Sequence, residues 1–220
     1  SLYKHRFVNE FPDFHFTQSE WKEMADDFVH KMSDSVIDAA IAQLPASARQ
    51  IRGKELTATM KRRRANIPAA MDKYYRFFNE IVDLRLSNQS EQIVLEEAPS
   101  GGLHLTVRKI NKDGIVKGKL VDRVYDPAIT KEIRIYAGAG NDTAKIDFTD
   151  SRIKVRMIGG AGSKHLDVKR KGTPIRWYSQ KGGTTYAGFT DRISKSMKTD
   201  SAHTAFVPVN LYSKTMPLIT

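Results

Sequence analysis

The feature that most constrains the fold is a strand, glycine corner and second strand that recur between about residues 131 and 183. Three apolar segments, 133–136, 155–158 and 175–178, begin the units, and their starts lie 22 (155 − 133) and 20 (175 − 155) residues apart. Second strands follow at 145–148 and 165–168. This period predicts short β-solenoid-like or stacked-strand repeats. A plain antiparallel meander with glycine turns is the alternative.

Alternation within the repeats separates an apolar face from a basic face. Arg134, Arg156 and Arg176 fall on one face, one per repeat, and are candidate contacts for an anion or a partner. Stacked guanidinium groups repel one another unless carboxylates or other anions neutralise them. Pairing with Asp147, Asp167 or Glu132 is the preferred interpretation, and an anionic partner is the alternative. The other face would form a continuous core from Ile133, Ile135, Val155, Met157, Ile175 and Trp177.

The first half of the chain is helical in pattern. After an aromatic-rich lead-in over 1–16, Thr17 and Glu20 form a capping box, and apolar residues follow at helical spacing from Trp21. Ser33 or Asp34 caps a second helix that Pro45 ends, and Gly53 precedes a third over about 54–66. A fourth begins near Pro68, with an apolar face that runs to Ile81 and Val82. Short connections between four helices predict a small bundle.

The pattern changes near Asn88, where strands begin. Segments 92–97, 103–110 and 119–126 alternate or run apolar, and Asp113-Gly114 is a hairpin turn. The chain is therefore expected to be an α+β protein, with a helical bundle over 1–88 and a β domain over 89–220. From Ser179 onward the sequence indicates an extended tail.

The net charge of +11 favours an anionic neighbour, such as nucleic acid, phospholipid head groups or an acidic protein. The basic run Lys61, Arg62, Arg63 and Arg64 is a candidate contact for such a neighbour. Successive helical residues are turned by about 100°, so these four cannot share one face. A solvated helix surface, with one arginine paired to a nearby carboxylate, is the preferred interpretation.

The glycine corner at 137–142 resembles the calcium-binding nonapeptide of RTX β-rolls, and Asp142 is its candidate ligand. The next corner carries Lys164 where a second aspartate should stand, and an ammonium group would repel the cation. The glycines are therefore interpreted as structural, supplying positive φ at tight corners.

Catalytic motifs are missing from the sequence. It has no cysteine, its six histidines lack metal-ligand spacing, and no nucleophile-elbow, Walker or dinucleotide motif is present. We therefore expect no catalytic residue, no metal and no cofactor. A nucleic-acid-binding fold motif is also missing, which argues against the nucleic-acid alternative.

Several segments together resemble the region that precedes the barrel in large outer-membrane proteins of Bacteroidetes-type bacteria. They are 33–45 (SDSVIDAAIAQLP), 53–83, 126–142 (DPAITKEIRIYAGAGND) and 153–162 (IKVRMIGGAG), and 217–220 (PLIT) is similar to the entry into a surface-antigen type barrel. The resemblance spans most of residues 15–220.

The resemblance implies a periplasmic, non-catalytic spacer or docking domain associated with the outer membrane. Its partners would be the covalently linked barrel and an upstream metallophosphoesterase or kinase-like module, with anionic lipid or lipopolysaccharide as a further neighbour. Both ends of the chain are then expected to be module boundaries. An accessory domain of a phosphohydrolase or phosphotransferase, and a basic nucleic-acid-binding protein, are the alternative functions.

Overall fold

The structure, a computed structural model, describes residues 16–178 and 183–196, with only the backbone at Lys195 and Ser196. It contains four α-helices and eleven strands among these residues, so the chain is an α+β protein. The contacts divide it into two compact units. The described part of the helical unit ends at Asn79, and that of the β unit begins at Glu80.

The helical unit begins with the capping box that the sequence predicts. Thr17 Oγ1 accepts the N–H of Glu20 at 3.3 Å, and the Glu20 carboxylate accepts the N–H of Thr17 at 2.6 Å. Ser33 caps the next helix through the N–H of Val36. Helix α1 packs against α4, and α2 packs against α3. The helices are α1 (Gln18–Lys31), α2 (Asp34–Ala42), α3 (Ala46–Ala65) and α4 (Ile67–Asn79).

The sequence predicted that Gly53 precedes a helix. This prediction was wrong, because Gly53 lies buried inside α3. A Cβ at this position would lie 3.1 Å from Arg49 Cγ and 3.7 Å from Ile41 Cγ2. The tighter of these two contacts is with a residue of α3 itself, and the one with α2 is at an ordinary van der Waals distance. Helix α3 therefore continues through Gly53 despite the cost of about 1 kcal/mol that glycine carries in a helix.

Helix α4 ends earlier than predicted. Asn79 is its last residue and donates its side-chain amide to the Tyr75 carbonyl at 2.9 Å. Ile81 and Val82 belong instead to a strand, because alternation buries Val82 and exposes Asp83. The boundary between the units consequently lies at 79/80 rather than at 88.

The β unit builds two sheets that enclose one core. The first sheet has the order β1-β5-β7-β9-β11, and the second has the order β10-β8-β6-β2-β3-β4. All pairings are parallel except those of the β2–β3 and β3–β4 hairpins. The strands are β1 (Ile81–Arg85), β2 (Glu91–Ala98), β3 (Gly102–Ile110), β4 (Val116–Tyr125), β5 (Glu132–Tyr136), β6 (Asp142–Asp147), β7 (Lys154–Ile158), β8 (Lys164–Val168), β9 (Ile175–Tyr178), β10 (Thr184–Gly188) and β11 (Ile193–Ser196).

The register of the strands matches the spacing of the repeats in the sequence. Arg134 pairs with Arg156, and Arg156 pairs with Arg176, so each position lies beside the equivalent position of the next repeat. The second sheet has the same offsets between β6, β8 and β10. The three repeat strands are parallel neighbours and do not form an antiparallel meander. The six predicted inward residues are all at most 2% exposed.

The parallel arrangement extends beyond the repeats that the sequence indicated. β1 pairs with β5, and β2 pairs with β6, with the same number of residues separating the register partners. This separation is longer than that of the repeats because the hairpin strands β3 and β4 lie between β2 and β5 in the chain. β10 and β11 lie in the segment predicted as a tail. The lead-in over 1–15 and the apolar end beyond 207 lie outside the described residues.

Candidate functional site

The three predicted arginines form a column on the outer face of the first sheet. Arg134, Arg156 and Arg176 lie side by side in register, flanked by Asp83 on β1 and Ser194 on β11. Strand alternation directs their neighbours in sequence into the core. The fold therefore brings together three residues that stand far apart in the sequence.

Glu132 neutralises the first two arginines of the column. It accepts from Arg134 Nε at 3.2 Å and contacts Arg156 Nε, and all three side chains are at most 17% exposed. Asp83 adds a second carboxylate 3.6 Å from Arg134 Nη1. Burial opposes the charged form of Arg134, but the hydrogen bond and charge of Glu132 outweigh it, so the pKa of Arg134 is raised.

Arg176 differs from the other two because it is exposed. No carboxylate lies within ion-pair distance of it among residues 16–178 and 183–196. The other carboxylates that the sequence offered are used elsewhere. Asp147 pairs with Arg170 at 2.6 Å, and Asp167 pairs with Lys169 at 2.5 Å. Arg176 therefore presents a guanidinium group to the outside.

An aromatic and apolar row runs beside the arginine column. Arg85, Tyr136, Ile158 and Tyr178 lie in register across four strands. The Arg85 guanidinium lies 5.4 Å from the centre of the Tyr136 ring, within cation–π distance. Burial and the nearby charge of Asp83 raise the pKa of Tyr136. The face therefore combines cations with aromatic rings.

A second cluster of charges lies in the interior, at the start of the second-sheet strands. Lys164 and Asp142 are register partners, and Lys164 Nζ lies 2.8 Å from Asp142 Oδ2, with side chains 2% and 3% exposed. The ammonium group also donates to the carbonyl of Gly140 and, at 2.9 Å, to that of Ala161. The buried ammonium group is therefore held by two carbonyl oxygens and by the charge of one carboxylate.

Glu91 adds a second carboxylate to this cluster. It is fully buried, its backbone N–H donates to Asp142 Oδ1 at 2.9 Å, and Ser87 donates its hydroxyl to Glu91 Oε1. Burial first, and then the proximity of Asp142, raise the pKa of Glu91. Asp142 thus contacts both Lys164 and Glu91, and Glu91 binds a proton more readily than an ordinary glutamate.

The cluster changes the interpretation of the glycine corner. Asp142, the calcium candidate, is buried against Lys164, so an ammonium group holds the place beside its carboxylate. Gly138 and Gly162 have φ of +42° and +87°, as predicted for tight corners. Gly140 and Gly160 serve close approach instead, because a Cβ would lie 1.6 Å from Gln89 O and 2.1 Å from Gly138 O, respectively.

The basic run on α3 divides into paired and exposed residues. Arg64 contacts Asp34 at 2.6 Å, and Lys61 contacts Asp34 at 3.3 Å and Asp38 at 2.9 Å. Arg62 and Arg63 are exposed, and neither has an ion-pair partner in the described part of the chain. Within this run, these two are the residues available to an outside anion.

The sequence reasoning missed the buried cluster, although the signal was present. Asp142 and Lys164 occupy the same position one repeat apart, and opposite charges at equivalent inward positions indicate a buried ion pair. Glu91 could not be included, because the strand that carries it was not aligned with the repeats. Over the described ranges, no three His, Asp or Glu side chains are grouped to hold a metal ion.

Comparisons with protein-family models, curated proteins and solved structures find no match for this chain. In the described residues no helix has the length and apolar character to span a membrane. The arrangement can hold charges in fixed places. It offers an outer face on which the exposed guanidinium group of Arg176 has no ion-pair partner in the described residues, and Tyr178 lies on the same face.

Proposed function

We propose that this chain is a non-catalytic structural domain, a spacer with a docking face, within a larger protein associated with the outer membrane. The β unit is interpreted as a short β-solenoid and the helical unit as a small bundle. The barrel and an enzymatic module would be covalently linked partners in the periplasm, and catalysis would lie outside this chain.

One observation supports the spacer most strongly, the equal parallel registers of both sheets. β5, β7 and β9 follow one another at the same offsets as β6, β8 and β10. Each strand–corner–strand unit therefore stacks on the one before it and contacts mainly its neighbours. Such stacks are stabilised unit by unit, and they hold their two ends at a fixed separation.

Duplication of one unit tests this function. A second copy of residues 132–153, inserted after 153, should add one strand to each sheet and lengthen the stack by about 4.8 Å. We expect a folded protein with an unchanged or raised midpoint of urea unfolding, and a longer particle in small-angle X-ray scattering. A control that carries the same inserted residues in scrambled order should be destabilised. Equal loss of structure in both proteins would contradict the spacer function.

The exposed Arg176 supports the docking face, because an acidic partner would supply a carboxylate that no residue in 16–178 or 183–196 supplies to Arg176. Fluorescence anisotropy with labelled poly-glutamate measures this directly. Arg176→Gln should weaken binding by about tenfold or more, because charge-assisted hydrogen bonds contribute about 1.5–3 kcal/mol. Lys54→Gln removes an equal charge from an exposed position of the helical unit and serves as the control. Equal effects of the two substitutions would show only general attraction to the +11 charge and would reject the docking face.

The net positive charge makes nucleic-acid binding an alternative function. A second alternative is an accessory domain of a phosphohydrolase or phosphotransferase. Titration with duplex DNA at physiological salt, and assay of phosphoester hydrolysis with divalent metals, distinguish these from the spacer. Sequence-dependent DNA binding, or turnover abolished by one carboxylate substitution, would favour the corresponding alternative.

A further inference from the structure

The β3–β4 hairpin ends in an arm, residues 109–120, that stands clear of the core. Every residue from Lys112 to Leu120 is exposed, whereas Leu103, Leu105 and Val107 on the same β3 strand are fully buried. The hairpin therefore continues several residues beyond the part that packs on the second sheet.

The arm carries apolar side chains at its tip. Ile110 and Val116 are register partners at the distal end of the hairpin, and Ile115 precedes Val116. Ile115 is 56% and Val116 47% exposed, and Leu120 further back is 49% exposed. Single exposed apolar residues are common, but three on one protruding hairpin form a contact surface that lacks a partner among the described residues.

Lysines flank the apolar residues of the arm, and Lys112 lies in the turn itself. The arm has four lysines and one acidic residue, Asp113. Lys119 pairs with Asp122 at 2.5 Å. Lys109, Lys112 and Lys117 have no ion-pair partner among the residues that the structure describes. The arm therefore combines lysines that have no ion-pair partner in the described residues with exposed apolar residues.

The turn at the tip is held rigidly. Asn111 Oδ1 accepts the N–H groups of Asp113 at 3.1 Å and of Ile115 at 2.8 Å, and Gly114 takes the positive φ that the turn requires, +77°. A turn held in this way loses little conformational entropy when it binds.

We propose that the arm docks on an anionic lipid surface, with Ile115 and Val116 entering the head-group boundary and the lysines contacting the head groups. Apolar residues that insert shallowly and flanking lysines are the two contributions that interfacial anchors combine. Nucleic acid could contact the lysines through its phosphates, but it would leave the apolar tip exposed to water. The arm also has no arginine or aromatic residue that could stack on bases. This inference rests on the exposure, the charge and the turn geometry of the arm and is independent of the spacer function.

Co-sedimentation of the full 220-residue chain with vesicles tests the arm. The vesicles contain phosphatidylglycerol and phosphatidylcholine in equal parts, and pure phosphatidylcholine serves for comparison. Lys112→Gln with Lys117→Gln should weaken binding to the anionic vesicles by about 30-fold, since each lysine near such a surface contributes about 1 kcal/mol. Ile115→Thr with Val116→Thr should weaken it by about tenfold.

Two matched variants control for charge and exposed apolar area. Lys54→Gln with Lys73→Gln removes two exposed lysines from the helical unit, and Val36→Thr with Ile51→Thr removes two exposed apolar residues there. Both should bind as the original chain does. Equal losses in arm and control variants, or no binding by the original chain, would overturn the inference without affecting the duplication experiment.

A label at the tip gives a reading that does not depend on comparing variants. The chain has no cysteine, so Asp113→Cys can carry a single environment-sensitive fluorophore. Its emission should shift to the blue with anionic vesicles and stay unchanged with duplex DNA. A shift with DNA that persists in Ile115→Thr with Val116→Thr would overturn the lipid surface in favour of nucleic acid.

Discussion

Lys164 supplies a covalently attached cation inside the glycine corner. Its ammonium group contacts the Asp142 carboxylate and two carbonyl oxygens, all supplied by the chain itself. A covalently attached cation needs no metal from solution, but it must be buried with all its hydrogen bonds made. The corner therefore depends on this one side chain.

Substitution of Lys164 by methionine tests that dependence. Lys164→Met keeps much of the volume but leaves Asp142 buried without its partner, so the free energy of unfolding should fall by about 3–5 kcal/mol. Urea unfolding followed by circular dichroism measures the change. Lys145→Met on the exposed face of β6 is the control and should leave stability nearly unaltered. A loss at Lys164 no larger than that at Lys145 would contradict the buried pair.

Glu91 predicts a dependence of stability on pH. Its pKa in the folded state is raised above the ordinary value of 4.5, so its stabilising contribution is complete below pH 4.5 and is lost as the pH rises through the raised pKa. Glu91→Gln should remove this decline, because glutamine does not ionise. The measurement is the urea midpoint against pH, with Glu97→Gln on the surface as control. A decline that survives in Glu91→Gln would assign it to another group.

Individual residues were predictable from the sequence where periodicity placed them. The inward set and the arginine column follow from alternation and from the spacing of the repeats, which the register reproduces. The pairing of Glu132 with two arginines could not be predicted in preference to Asp147 or Asp167. All three carboxylates lie near the repeats in sequence, and only the register shows which one lies between the guanidinium groups.

At the scale of elements, the glycine corners require small residues for a steric reason. Gly160→Ala would place a Cβ 2.1 Å from the Gly138 carbonyl oxygen, so the backbones of two stacked corners would have to separate. We expect a loss of about 3 kcal/mol. Gly118→Ala, where a Cβ meets nothing within 4 Å, should change stability by less than about 0.5 kcal/mol. Thermal unfolding compares the two, and similar midpoints would contradict close stacking of the corners.

Two elements were predicted wrongly because local pattern and tertiary contact disagree. Gly53 is unfavourable in a helix by propensity, but it lies buried inside α3, which continues through it from Ala46 to Ala65. Ile81 and Val82 continue the helical spacing of α4, and yet pairing with β5 makes them a strand. Pairing between strands that lie so far apart in the chain leaves no short-range signal, so the first unit of the β region could not be recognised from the sequence.

At the scale of the whole molecule, some charged side chains form ion pairs within the fold, and others face outward. The paired groups are internal: Glu132 with two arginines, and Lys164 with Asp142. Arg176 and three lysines of the arm face outward without ion-pair partners in the described residues. Net charge alone could predict an anionic neighbour, but only the structure shows which cations are available to it.

A disulfide between neighbouring strands tests the parallel, in-register stack of the β unit. Lys145 on β6 and Asp167 on β8 are register partners on the outer face, and Ala187 on β10 follows Asp167. In a chain without other cysteines, Lys145→Cys with Asp167→Cys should form a disulfide under mild oxidation, since neighbouring strands lie about 4.8 Å apart. Lys145→Cys with Ala187→Cys, two strands apart, should stay reduced in the monomer. Failure of the first pair to close, or equal closure of both, would contradict the stack.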